Sequence, residues 1–327
     1  MIVSNDSIMK PPYDITSTIL RQLTAISEKI GEVNAIHLHK PSPKLRKKNR
    51  VKTIRASLQI EGNQLSEEQI TAILENKRVI GSKKDITEVL NAIEVYDKLP
   101  SYNPHTQKSF LAAHQVLMQN LIPDAGKYRK QAVGVVKGDE IAHIAPPAGN
   151  LPYLMKDLFA YLKNDKDPVL IKSCVFHYEA LFIHPFIDGN GRMARLWQTL
   201  VLLKSYPVFE FLPFETIIKD RQEEYYEVLS ECDKTAKSTV FIEFILKAID
   251  TALGDLLTLQ TPHLTTKDRV AYFLSIQNEP SFSRKDYLLV FKNISSATAS
   301  RDLKYAVDNG LVKRIGEKRL TRYEVLG

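Results

Sequence analysis

Apolar residues recur every three or four positions at Ile19, Leu23, Ile26, Ile30 and Val33, the spacing that keeps one face of an α-helix buried, with Asp14 ahead of the stripe as its expected N-cap. Ser66 to Gln69 reads as a capping box before Ile70, Ile73 and Leu74, in a helix expected to stop before Gly81. The same period predicts helices over 85–99 and 104–121, with Val89, Ile93 and Tyr96, then Phe110, His114 and Leu117, on the inner faces. It returns over 151–163, 168–182, the run MARLWQTLVLL from Met193, 216–230 and 238–256. One stretch departs from it. In QAVGVVKGDEIAHI, residues 131–144, two β-branched runs flank Lys137, Gly138 and Asp139, a hairpin pattern and the only clear strand pair in the first 260 residues.

After TLQTPHLTT the pattern shortens. Helices near 266–276, 283–291 and 296–308 precede two β-rich runs in GLVKRIGEKRLTRYEVLG, an order resembling a winged helix-turn-helix module. The fold class expected is therefore mainly α, with a small β-hairpin and a C-terminal winged-helix module. Three regions are expected: 1–100, an N-terminal helical region; 101–258, a catalytic core; and 259–327, the terminal module.

Composition narrows the class without naming a reaction. At 327 residues, 44% hydrophobic and 25% charged, the chain can bury a sizeable core. Cys174 and Cys232 stand far apart and outside any CxxC spacing, which favours packed thiols in a reducing compartment over disulfides or a zinc site. The start MIVSNDSIMKPPYD has no cationic stretch followed by a long apolar one, and nowhere do 18 apolar residues run together, so a cytoplasmic protein with no membrane contact is expected. The net charge of +7 is uneven: residues 40–55 hold eight Lys or Arg and no acid, and 262–327 hold 12 basic and seven acidic residues. The first run, opening on two prolines, reads as the start of a solvated loop. Nucleic acid is a candidate partner for the basic parts alone. On the terminal module, Arg301 and Lys304 fall on the expected recognition helix, with Lys313, Arg314, Lys318 and Arg319 on the wing.

The chemistry concentrates in HPFIDGNGRMAR, residues 184–195. Gly189 and Gly191 around Asn190 permit a turn whose amide N–H groups face one anion, and the helix that follows adds free N–H groups and a positive dipole end. Arg192 and Arg195, three apart, share a helix face and can both reach phosphate oxygens. Asp188 is a hard oxygen ligand suited to Mg²⁺, and His184 is the natural general base. The set describes phosphoryl or nucleotidyl transfer from a nucleotide to a hydroxyl, with neither a P-loop nor a protein-kinase signature.

These twelve residues match the HPFx[DE]GNGRxxR signature at every fixed position, and the chain on this ground resembles the Fic family. The resemblance implies a Fic-type helical bundle and a protein adenylyltransferase moving AMP from ATP to a Ser, Thr or Tyr hydroxyl. It implies that His184 deprotonates the target, Asp188 holds Mg²⁺, and Gly189, Asn190, Gly191 and Arg192 bind the α- and β-phosphates. Arg195 would grip the γ-phosphate and Phe186 anchor the loop. The intact GNGR favours adenylyl transfer over the phosphorylation of the Doc-like branch, whose loop carries a lysine. GKYR at 126–129 and the hairpin resemble the flap that aligns a target by strand addition. YYEVL resembles the segment lining the nucleotide pocket, which adds Tyr225 and Tyr226. His114 and His177 read as packing residues.

SLQIEGN, residues 57–63, fits the family's inhibitory pattern [ST]xxxE[GN]. Ser57 and Glu61, four apart, share a helix face, and Gly62 with Asn63 makes a helix stop. The resemblance implies that Glu61 pairs with Arg195 and keeps it from the γ-phosphate. Two other readings stay open: AMP removal at the same site, with Glu61 positioning a water, and a DNA-binding regulator. The target protein, self-modification and a homodimer stay open as well.

Overall fold

The helix spanning Val169–Ile183 carries apolar residues all round, and this makes it the centre of the unit that contains it. The computed structural model containing it describes residues 10–36, 43–137, 140–260, 265–277, 279–291, 294–316 and 321–326. The chain divides into two compact units, Met1–Leu257 and Thr258–Gly327.

In chain order the first unit comprises α1 (Ser17–Ile36), α2 (Pro43–Ile60), α3 (Glu67–Leu74), α4 (Lys83–Lys98), α5 (Gln107–Met118), β1 (Gly134–Lys137), β2 (Glu140–Ile144), α6 (Leu151–Asn164), α7 (Val169–Ile183), α8 (Asn190–Ser205), α9 (Glu215–Asp220), α10 (Gln222–Thr235) and α11 (Thr239–Gln260). The mainly α architecture is as the periodicity predicts. On one side of α7 and α8, Phe110, Phe159, Phe176, Phe186 and Trp197 pack edge to face or tilted. On the other, the stripe of α1 meets Phe241, Ile245 and Ile249 of α11. A third cluster, with Val51, Ile54 and Leu58 of α2 against Ile70 and Val89, holds α2, α3 and α4 together. The hairpin pairs antiparallel from Gly134 opposite Ile144, with a bulge between Val135 and Val136. Gly138 and Asp139, at its turn, lie outside the described residues.

Several expectations need correction. Thr16, not Asp14, caps α1: its Oγ1 accepts the Ile19 N–H at 3.1 Å, while Asp14 pairs with Lys237. The basic run is helix α2 from Pro43 onward; a proline fits the first helical position because the N–H it lacks would have no partner there. Four of its cations are ion-paired rather than merely solvated, Arg46 to Glu210, Lys47 to Glu75, Arg50 to Asp97 and Arg55 to Glu67. α3 ends at Leu74, before Gly81 as expected, whereas the helix expected over 216–230 breaks at Arg221 into α9 and α10.

The second unit contains α12 (Thr266–Ile276), β3 (Ser281–Phe282), α13 (Arg284–Val290), α14 (Ser296–Asp308), β4 (Val312–Ile315) and β5 (Arg322–Val325). The unanticipated β3 completes an antiparallel sheet of order β3-β5-β4. Phe273, Phe282, Tyr287 and Leu303 form its core. At the centre Asp302, wholly buried, accepts from Arg269 Nε at 2.6 Å and Nη2 at 2.8 Å, from Thr266 Oγ1 at 2.8 Å and from Tyr287 at 3.2 Å. Arg301, Lys304, Lys313 and Arg314 are exposed, and Lys318 and Arg319 lie outside the described residues.

Candidate active site

The site is built where α7 ends and α8 begins. His184 caps α7 in the left-handed conformation, φ 51° and ψ 59°, which turns the chain sharply out of the helix. Its Nδ1–H donates to the Leu181 carbonyl at 3.3 Å, so Nε2 is the basic nitrogen. Gly189, at φ +86°, caps α8, and a Cβ there would come within 2.7 Å of Met118 Sδ, so glycine is required on both counts.

Between these caps the loop is braced from several elements. Phe186 is fully buried and stacks on His114, centroids 3.6 Å apart and planes 3° apart. Asn190 closes the loop on itself: its Oδ1 accepts the Phe186 N–H and its Nδ2 donates to the Phe186 carbonyl, both at 2.9 Å. His114 contributes more than packing. Its Nδ1 accepts the Gly126 N–H at 2.8 Å, so the proton is on Nε2, which donates to the Asp188 carbonyl at 3.0 Å. Burial holds its pKa down at about 4, which keeps the ring neutral in this arrangement. Arg129, also buried, donates from Nε to the His184 carbonyl at 2.7 Å and from Nη2 to the Pro146 and Ile183 carbonyls, tying the segments beside the hairpin to the loop.

Arg192 and Arg195 are both buried on the first turns of α8. Arg195 donates from Nε to Ser57 Oγ at 3.1 Å, and from Nη2 to the Ser57 carbonyl at 2.9 Å and Glu61 Oε1 at 2.7 Å. Burial, the largest influence, would lower its pKa, but the Glu61 carboxylate together with the Tyr225 and Tyr96 phenols outweighs this and the guanidinium is more firmly charged than usual. The same carboxylate lies so close to Gly191 that a Cβ on that residue would collide with Glu61 Oε1. An anionic group therefore already rests against the first turn of α8. Arg192 is held by Glu88 Oε1 of α4 at 3.0 Å and by Asp188 Oδ1 at 2.9 Å.

The residues of the second motif separate in role. Gly62 takes φ +90°, with the Gly62 and Asn63 N–H groups returning to the carbonyls of Gln59 and Leu58 to stop α2. Asn63 does more than stop the helix: its side chain donates to Glu88 Oε2 at 2.8 Å and accepts the Leu65 N–H. Tyr225 is buried, its hydroxyl donating to His177 Nε2 at 3.0 Å, while His177 Nδ1–H donates to Gln198 Oε1 at 2.7 Å. Burial depresses His177 to about 3 and raises the Tyr225 phenol. Tyr226 is partly exposed beside it, within reach of Gln222, which also donates to the Ile60 carbonyl. The structure thus gathers His184, Phe186, Asp188, Gly189, Asn190, Gly191, Arg192, Arg195, Ser57, Glu61 and Asn63 into one place. Tyr225 stands behind them in the core and Tyr226 at the edge.

Glu88 and Arg129 are not marked by the sequence pattern, and His114, expected only to pack, also holds the loop. Arg129 lies inside GKYR, whereas Glu88 has only a weak signal, an acid on the same helix as the inward-facing Val89 and Ala92. Among the described residues no group of three or more His, Cys, Asp or Glu side chains could hold a metal by itself, and no helix is long and apolar enough to cross a membrane. Asp188 nonetheless fits Mg²⁺: its side chain is half exposed, and a magnesium ion keeps most of its waters and takes its remaining oxygens from a phosphate.

Residues 104–202 match the model of the Fic/DOC family. The curated relatives include the protein adenylyltransferase Fic of Drosophila grimshawi, 27% identical over 245 residues, 71% of this chain and 48% of that protein, and that of Drosophila erecta, 28% identical over 83% and 56%. The chain spans about half the length of these relatives. Among solved structures, Fic-1 of C. elegans aligns over 74% of this chain and 72% of its own at 21% identity and a TM-score of 0.61, a likeness of fold. A Fic family protein from Desulfovibrio desulfuricans G20 aligns over 98% of this chain and 99% of its own, with 38% identity and a TM-score of 0.75. With the HPFIDGNGRMAR loop placed between two helices as described and a relative matched along nearly its whole length, the chain belongs to the Fic family.

Proposed function

We propose that this protein is an adenylyltransferase that moves AMP from ATP onto a protein hydroxyl and that Glu61 holds it inactive. The observation that carries the reading is the Glu61 carboxylate lying against Gly191 and bonded to Arg195 at 2.7 Å, an anion in the place where the start of a helix and a buried guanidinium would receive a phosphate. The relatives named protein adenylyltransferase supply the reaction class.

In this reading the target hydroxyl approaches His184 Nε2 and gives up its proton as its oxygen attacks the α-phosphorus. The bond from that phosphorus to the bridging oxygen breaks and pyrophosphate leaves. The amide N–H groups at the start of α8 and Arg192 hold the inner phosphates, and Arg195 holds the outermost one. Asp188 would hold Mg²⁺, which neutralises phosphate charge when bound. The hairpin offers strand edges to an extended target segment. With Glu61 in place Arg195 is already neutralised, and a phosphate arriving there meets like charge.

Glu61 is 29% exposed at its side chain where Arg195 is only 1% exposed, so part of the carboxylate faces solvent. This favours a second use of the same residue, orienting water for AMP removal. The second unit, with four exposed cations on α14 and β4, is a candidate winged-helix surface for the phosphates of duplex DNA. Incubating Glu61→Gly protein and a cell lysate with ATP, followed by mass spectrometry for added AMP, tests the main reading. His184→Ala in that background should lower labelling by about 10²-fold or more. Labelling that persists removes the assigned base, and release of AMP from a pre-modified protein without ATP would favour the hydrolytic reading.

A further inference from the structure

Arg192 has two acidic neighbours of opposite character. Glu88 is buried with it, each side chain 4% exposed, whereas the Asp188 side chain is 50% exposed. Both oxygens of Glu88 are committed, Oε1 to Arg192 Nη1 at 3.0 Å and Oε2 to Asn63 Nδ2 at 2.8 Å. Asn63 is itself fixed, donating also to the Asp85 carbonyl and accepting from Leu65 N–H. Asp188 reaches Arg192 only through Oδ1, which also takes the Gly189 N–H.

A buried guanidinium stripped of its counter-charge is costly, while an exposed ion pair is easily exchanged. We propose that Glu88 is a positioning residue, the resident counter-ion of Arg192, and that its presence is what lets Asp188 leave Arg192 for a divalent cation. Without Glu88 the only acid bonded to Arg192 among the described residues would be Asp188, and pulling Asp188 away would leave a buried charge uncompensated. Arg192 Nε, buried and without a hydrogen-bond partner among the described residues, marks donor capacity beyond the two acids, as a guanidinium that also meets a ligand would have. The segment that follows Glu61 is thereby joined to both arginines of the loop: Glu61 bonds Arg195 directly, and Asn63 holds the acid that holds Arg192.

The functional half of this inference rests on the nucleotide-binding reading; the ion arrangement does not, and the test separates the two. Melting temperatures of the ligand-free wild type, Asp188→Asn, Glu88→Gln and the double variant form a cycle. Asp188→Asn should cost about 2 °C or less alone and about 5 °C or more when Glu88 is already Gln. Additive losses overturn the proposal. If Glu88→Gln does not fold, Glu88→Leu with Arg192→Leu, which removes both charges, should fold; failure of that pair to recover overturns it too. In the Glu61→Gly background Glu88→Gln should raise the Mg²⁺ concentration for half-maximal labelling about tenfold, with maximal labelling within a few-fold of the parent and Glu88→Asp restoring the parent's Mg²⁺ curve. An unchanged Mg²⁺ curve overturns the coupling. Absence of ATP labelling in Glu61→Gly itself would instead count against adenylyl transfer, and the melting cycle, run without nucleotide, would still decide the ion arrangement.

Discussion

Two arginines anchor the two units, and they are paired differently. In the second unit Arg269 meets Asp302, whose side chain is completely buried and takes four hydrogen bonds from three residues. In the first unit Arg195 is the buried member, while its acid, Glu61, comes from the end of another helix and stays 29% exposed. The Asp302 carboxylate is sealed on every side, with Arg269 13% exposed, and the strength of the pair goes into holding α12, α13 and α14 together. The Glu61 pair is sealed on one side only. An acid that can withdraw into solvent, leaving its partner facing a helix start, suits a site that must be vacated for a ligand.

The contrast is broken most severely at the sealed pair. Asp302→Asn removes the buried carboxylate charge that Arg269, 13% exposed, is bonded to and should cost about 3 kcal/mol, a factor of roughly 150 in the unfolding equilibrium, read by urea denaturation. A loss below about 1 kcal/mol would show that this pair is no more sealed than the other. Glu61→Gly should act on chemistry as well as folding. Removing the carboxylate from the phosphate position should raise ATP-dependent labelling about 100-fold, since misplacement of a reacting group by about an ångström has that effect. Leaving the buried Arg195 without the acid bonded to it should also lower the melting temperature by a few degrees, less than the loss at Asp302 because water can reach the place that the partly exposed Glu61 vacates. Labelling equal to or below the parent in a folded variant would break the comparison.

A smaller effect separates burial from pairing. Glu215 is fully buried near the same arginine, accepts from Thr199 at 2.9 Å and is pushed up by burial to about 7 from an ordinary 4.5. The folded protein thus keeps this proton over a range where the unfolded chain has released it. Its contribution is complete below pH 4.5 and is lost as pH rises to 7. Relative to wild type, Glu215→Gln should flatten the pH dependence of stability over that window, by on the order of 2 kcal/mol. His114, depressed to about 4, acts in the opposite direction but alike in both proteins, so the difference isolates Glu215. Parallel curves would show that Glu215 is already ionised in the fold.

Much of the site could be read from the sequence because its chemistry is local. Twelve consecutive residues carry His184, the glycine turn and both arginines, and Ser57 and Glu61 meet Arg195 because four residues make about one helical turn. The supports are nonlocal. Glu88 reaches Arg192 across 104 positions and Arg129 reaches His184 across 55, and no periodicity encodes either meeting. The helices followed from their apolar spacing, but the stretch from Pro43 misled, since its charges suggested solvent while its burial depends on α3, α4 and the chain around Phe211. Tyr225 illustrates the same limit from the other side: it is near the site in space, yet its hydroxyl faces inward to His177.

In the proposed reading Glu61 stands where a nucleotide phosphate would bind. Calorimetric titration of ATP with Mg²⁺ into His184→Ala and into His184→Ala with Glu61→Gly, neither able to turn over, measures that competition directly. Removal of a carboxylate from the phosphate position should tighten binding about tenfold or more, or turn absent binding into measurable binding. Equal affinities in the two proteins would contradict it.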